Sequence, residues 1–203
     1  MCNNMPVCFT INDKRYPNLA NSATCRVQYK HKVFSSVDAA YCAASVEGSQ
    51  PIDDFIYVSS SQAKAMVRNM RKRSDWHSVN WDIMHELVLN KFTNNPTSRK
   101  ELLSTADTLL IYVNREHDNF WGSCNCSRCA DTAGQNQLGK ILMLVRAELS
   151  GKSKVVAEIP VDNELIPINL KSDEDISYVC KKYNVLKFDE AIHIIKDKYC
   201  NFV

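Results

Sequence analysis

The sequence predicts an α+β fold in which helices dominate and strands are few and short. Two observations carry that reading. Apolar residues recur at helical spacing over most of residues 60–149, and the β-rich runs are brief and bounded by turn residues. Composition sets the frame. The chain has 203 residues, 45% hydrophobic and 24% charged, with a formal net charge of +2. That suits one domain with a modest appendage and a core that needs no disulfides. So small a charge does not by itself indicate a nucleic-acid or membrane partner.

Each element has its own signal. Val7 to Ile11 is apolar with a β bias, and Asn12-Asp13 marks a turn. Cys25 to Phe34 reads as a half-buried strand or hairpin. Ser36 caps a helix rich in alanine (Ala39, Ala40, Ala43, Ala44) that ends before Gly48 and Pro51. Ser60 or Ser61 caps a segment running to about Arg73, with Ala63, Met66, Val67 and Met70 on its apolar side. Val79 to Phe92 is a second amphipathic helix, stopped by Asn94-Asn95-Pro96. Ser98 with Glu101 forms a capping-box pattern before Leu102-Leu103. Thr108 to Val113 is a buried strand, and Gln137 to Leu149 a helix with Gly151 at its C-cap. Residues 1–150 form the main domain. Residues 151–203, a hairpin plus helices, form a C-terminal extension, packed or accessory.

Nine cysteines are many, but the number is odd and no signal-peptide pattern opens the chain. No apolar run approaches the ~20 residues of a membrane helix. The expectation is a reducing cytoplasm, of a cell or of a virus-infected host, with no membrane partner. Cys124, Cys126 and Cys129 are spaced to bind a metal, and a structural zinc would need a fourth ligand from His117 or another cysteine. Free reduced thiols are the plainer alternative.

Two segments carry groups suited to chemistry. His117-Asp118-Asn119-Phe120-Trp121-Gly122 offers a carboxylate for hydroxyls or water, an indole to stack on a planar ring, and a glycine that lets backbone approach a ligand. Gly134-Gln135-Asn136-Gln137-Leu138-Gly139-Lys140 opens a helix, whose free N–H groups suit a phosphate, with Arg146 further along. A tight loop-to-helix turn is the bland reading. Lys64, Arg68, Arg71, Lys72 and Arg73 make a basic run, more simply a solvated helix face than a DNA surface.

Read in order, these segments resemble the NADAR family. The pieces are Leu19-Ala20-Asn21; Phe34-Ser35-Ser36-Val37-Asp38-Ala39-Ala40-Tyr41; Ser61-Gln62-Ala63-Lys64; Arg73-Ser74-Asp75-Trp76; Met84 with Lys91-Phe92; Leu102-Leu103-Ser104-Thr105; Asp118-x-x-Trp121-Gly122; and Gly134-x-Asn136-x-Leu138-Gly139-Lys140, closing on Arg146. The resemblance implies a compact, mostly helical fold and hydrolysis of N-glycosidic bonds in ADP-ribosyl or ribosyl-phosphate compounds, free or attached to nucleic acid, with no cofactor required. It implies catalytic roles for Asp38 and Asp118. Substrate contacts would come from Asn21, Tyr41, Lys91, Tyr112, Trp121, Gly122, Asn136 and Arg146. Three positions depart from the pattern: Asp38 replaces the usual Glu, Ser45 a Lys, and Tyr112 a frequent Glu. Ser45 carries no charge. The alternative is therefore a degenerate relative that binds or sequesters an ADP-ribose-like nucleotide. Oligomeric state is not readable from the sequence.

Overall fold

The structure is a computed structural model and describes residues 6–48, 50–129 and 132–151. The extension expected over residues 151–203 lies outside the described residues from 152 onward. The chain divides into two units, one built on residues 11–104 and the other on the N-terminal strand plus the residues from 105.

The 11–104 unit is helical. A hairpin joins β2 (Val27–Tyr29) to β3 (Lys32–Phe34), with Tyr29 opposite Lys32. The two-residue turn is Lys30-His31, and both have positive φ, 46° and 65°. That is the pattern a tight hairpin demands, here met without glycine. Ser36 caps α1 (Val37–Ser45) by accepting the Ala39 N–H. A short 3-10 segment (Gln50–Phe55) precedes α2 (Ser60–Val67). The cap of α2 is Ser59, one residue before the expected serines, in a reciprocal box with Gln62. The helix stops at Val67, short of the expected Arg73, and buries only Ala63.

α3 (Trp76–Asn94) is the long helix of the unit and buries Ile83, Met84, Leu87, Val88, Lys91 and Phe92. α4 (Pro96–Ser104) follows at once. Its start differs from expectation. Pro96 opens the helix, where a missing N–H costs nothing. Ser98 is a buried interior residue, and Glu101 does not close a capping box: its carboxylate accepts from the Asn18 backbone N–H (2.7 Å) and side-chain amide (2.6 Å). Fully buried Leu19, Phe34, Phe55, Leu87, Phe92 and Leu102 make the core. Each contributes roughly 1.5–3 kcal/mol through burial.

Among the described residues, the other unit is a three-stranded parallel sheet with one α-helix. β4 (Leu110–Asn114), buried along its whole length, lies between β1 (Val7–Phe9) and β5 (Ser123–Cys124). α5 (Gln137–Leu149) spans the residues the periodicity indicates and packs on β4. Gly151 follows with φ 74°, the left-handed geometry of a C-terminal cap. A parallel neighbour normally needs a crossover of about a dozen residues. Here β5 pairs through only two residues, so the loop 115–122 suffices, and that loop carries the Asp118–Gly122 motif.

Candidate functional site

In the helical unit the chemistry gathers around Asp38. It sits in the first turn of α1, where the helix dipole favours a negative group. Its Oδ2 accepts the Ser60 hydroxyl at 2.5 Å and pairs with the Lys64 ammonium at 3.0 Å. The residue is 8% exposed, so the carboxylate is reached only over a small face. Its backbone N–H donates to the Asn21 carbonyl, which places the Leu19-Ala20-Asn21 segment against the helix start. Asn21 is itself buried. Its amide nitrogen faces the Met84 sulfur at 3.2 Å, and its Oδ1 has no hydrogen-bond partner among the described residues. An unmet buried acceptor is costly, and a hydroxyl donor from a ligand would relieve it.

Around this centre, Tyr41 packs on Trp76 with ring centroids 4.8 Å apart. Trp76 is buried, while Trp81 stacks on His85. Cys42, one turn beyond Asp38, is no nucleophile. Burial, and then the Asp38 charge, push its thiol up to about 12. Ser45 turns its hydroxyl onto the Cys42 carbonyl (2.7 Å) and is buried. Lys91 is completely buried, with its ammonium on the Ala20 carbonyl at 2.8 Å. Burial lowers it to about 8, against the pull of Cys25, Asp38 and Glu101. It props the Ala20-Asn21 segment from below.

Lys64 is the residue the sequence reading assigned to a solvated basic face. The structure turns it onto Asp38. The rest of that run disperses: Arg71 pairs with Glu47 at 2.7 Å and Arg73 with Asp75. The signal for Lys64 was its place in the Ser61–Lys64 piece, but its partner depends on how α1 meets α2.

In the sheet unit, the 115–122 loop is held by its own polar groups. Asn114 at the end of β4 donates to the Asp118 carbonyl (2.7 Å) and accepts the Glu116 and Asp118 N–H groups. Asp118 Oδ1 accepts from the N–H groups of Phe120 (3.1 Å) and Trp121 (2.8 Å). It thus forms the turn that presents the indole. Phe120 and Trp121 meet edge to face at 4.9 Å. Gly122 lies over Tyr112, and an added methyl would stand 2.7 Å from the Tyr112 ring and carbonyl. Tyr112 is buried on β4 beside Phe9.

The helix start proves to be a clasp. The N–H groups of Gln137 and Leu138 donate to the Phe120 and Trp121 carbonyls, and those of Gln135 and Asn136 to Asn119 and Gly122. These donors, expected to face a phosphate, are met by the loop itself. Asn136 adopts φ 50° and spans β4 with its side chain, accepting from Tyr112 N–H (2.9 Å) and donating to the Leu110 carbonyl (2.8 Å). A methyl at Gly139 would collide with that carbonyl, and one at Gly134 with the Gly122 carbonyl and Ser123. Arg146, expected to contact substrate, is turned onto its own unit. It is half-buried, and its guanidinium donates to the Thr105 hydroxyl (2.7 Å) and the Thr108 carbonyl (2.8 Å).

Beside the loop, His117, Cys124, Cys126 and Cys129 place one ligand atom each within 4.8 Å of one another, a group that could hold a metal ion. No helix among the described residues is long and apolar enough to cross a membrane.

Residues 1–150 match the NADAR domain family. The chain is 34% identical over 140 residues to an N-glycosidase of Nostoc punctiforme, covering 66% of this chain and 86% of that protein. It is 30% identical over 150 residues to a riboflavin biosynthesis protein of Vibrio vulnificus, covering 71% of this chain but only 38% of that protein. An NMR structure of the E. coli protein YbiA shares the fold, with a TM-score of 0.61 and 22% identity, over 79% of this chain and 94% of that one.

Proposed function

From the premise that this chain belongs to the NADAR domain family, we propose that it hydrolyses N-glycosidic bonds of ADP-ribosyl or ribosyl-phosphate compounds. The observation that carries the reading is Asp38, a nearly buried carboxylate paired with Lys64 and Ser60. The nearby Asn21 oxygen, unpaired among the described residues, suits a ribosyl hydroxyl. In this reading water adds to C1 of the ribose as the C1–N bond breaks, and the base leaves with a proton. The Asp38 carboxylate stabilises positive charge at C1 or takes the proton from water. Lys64 and Ser60 fix its orientation. In the sheet unit, Asp118 forms the turn that sets the Trp121 indole. The chemistry requires no cofactor. Free nucleotides and nucleic-acid-linked ADP-ribose both contain the bond.

The second reading is a protein that holds such a nucleotide without cleaving it. Ser45 favours it, since its hydroxyl is committed to its own helix and brings no charge. One experiment separates the two. Wild type and Asp38→Asn are incubated with ADP-ribosylated guanosine, an ADP-ribosylated DNA oligomer and a ribosylamino-pyrimidine phosphate. Base release is followed by mass spectrometry and binding by calorimetry. Release by wild type, lost in Asp38→Asn with binding retained, supports the hydrolase. Binding by both with release by neither supports the binder.

A further inference from the structure

The geometry points to a structural zinc site of the Cys3His type, formed by His117, Cys124, Cys126 and Cys129, that fastens the two ends of the Trp121 loop. This goes beyond the hydrolase reading and does not depend on it.

A tetrahedral zinc has Zn–S near 2.3 Å and Zn–N near 2.0–2.1 Å, which separates ligand atoms by roughly 3.5–3.8 Å. The four atoms here all lie within 4.8 Å of one another. His117 Nδ1 is 3.2 Å from Cys126 Sγ and 3.4 Å from Cys129 Sγ. The ring therefore faces the thiols through one nitrogen, within roughly 0.3 Å of the spacing a shared metal imposes. Closing the polyhedron from separations of at most 4.8 Å asks for ligand-atom shifts of roughly 1 Å, within reach of side-chain rotation.

The backbone is arranged for this. His117 takes φ 63°, a left-handed conformation that costs a non-glycine residue roughly 1–2 kcal/mol and turns the imidazole toward the cysteines. Cys129 N–H donates to Cys126 O, winding the Ser127–Cys129 turn that brings the last two thiols together. Cys124 is fixed on β5, with its N–H on the Asn119 side chain at 2.9 Å. Arg128 stands at the other ring nitrogen, Nε2. When Nδ1 binds a metal that nitrogen carries the ring proton, so the exposed Arg128 side chain turns aside. With three thiolates the site bears one net negative charge, which a nearby guanidinium offsets.

The ligand set decides the role. Three thiolates and an imidazole fill a zinc's tetrahedron, leaving no open position for water or substrate. The metal is a brace. It joins His117 to Cys124, the residues that bracket Asp118–Trp121–Gly122, and so sets the loop that displays the indole.

The test is metal content and spectroscopy on the full chain, purified under reducing conditions with zinc in the medium. One zinc per chain is expected. Titration of the metal-free protein with Co²⁺ should give the visible bands of a tetrahedral, thiolate-rich site. Cys126→Ser and Cys129→Ser should each lower zinc affinity at least tenfold, whereas Cys8→Ser should leave it unchanged. His117→Cys, which keeps four soft ligands, should retain zinc and guards against loss through misfolding. Wild type that binds neither Zn²⁺ nor Co²⁺ stoichiometrically with its thiols reduced would overturn the proposal. So would an iron–sulfur chromophore, or zinc retained in full by Cys126→Ser and Cys129→Ser together.

Discussion

Replacing Lys91 by methionine tests the energetics of the segment beneath Asp38. The Lys91 ammonium is completely buried on α3, and burial lowers it from 10.5 to about 8. Its folded value lies below its unfolded one, so between about pH 8 and 10.5 the unfolded chain holds the proton more strongly. Wild-type stability should therefore rise across that window relative to the mutant, by about 3 kcal/mol at roughly 1.4 kcal/mol per pH unit. Below pH 8 the charged lysine bears its full desolvation cost. Lys91→Met removes that cost but leaves the Ala20 carbonyl without its donor, a loss of about 1–3 kcal/mol. The two nearly cancel at neutral pH, which makes the slope the informative quantity. Urea unfolding of both proteins at several values from pH 7 to 10 measures it. Groups that do not interact with Lys91 titrate alike in both proteins and drop out of the difference, and Cys25, which does interact with it, is replaced by serine in both. Parallel stability profiles would refute the reasoning.

Further outcomes follow from the same contacts. Lys64→Met should lower base release on the order of 10–100-fold through loss of the cation beside Asp38. Its half-exposed side chain should alter the urea midpoint little. Gly134→Ala should destabilise by about 1–3 kcal/mol, read by thermal melting, because the methyl meets the Gly122 carbonyl and Ser123 backbone. Arg146→Met should cost about 1–3 kcal/mol of stability by stranding the Thr108 carbonyl. A mutant of unchanged stability whose KM rose only for phosphorylated substrates would instead restore Arg146 as a phosphate ligand.

Much of the fold was legible where one strong periodicity settles the matter. The apolar stripe of α3, the unbroken apolar run of β4 and the Gln137–Leu149 helix depend on local pattern alone. Helix starts were harder, since several serines compete. Ser59 won over Ser60 and Ser61 because Gln62 can return the bond, and Asn18 drew Glu101 out of the expected capping box. Asp38 stood out by its motif. Lys64 did not, because its pairing depends on how α1 and α2 pack rather than on either helix alone. The Gly134–Lys140 segment looked like an anion cradle for the same reason. Its free N–H groups are a local feature, but the Phe120 and Trp121 carbonyls that satisfy them come from a distant stretch of sequence. The cysteines were visible by spacing, and His117 was among the candidates for the fourth position.

The most direct test of the central claim is hydrolysis in ¹⁸O-labelled water, with the sugar and base products resolved by mass spectrometry. The account predicts that wild type releases unlabelled base and places one ¹⁸O on the ribosyl C1 hydroxyl, and that Asp38→Asn does neither. Bound but uncleaved substrate with wild type, or equal cleavage by Asp38→Asn, would contradict it.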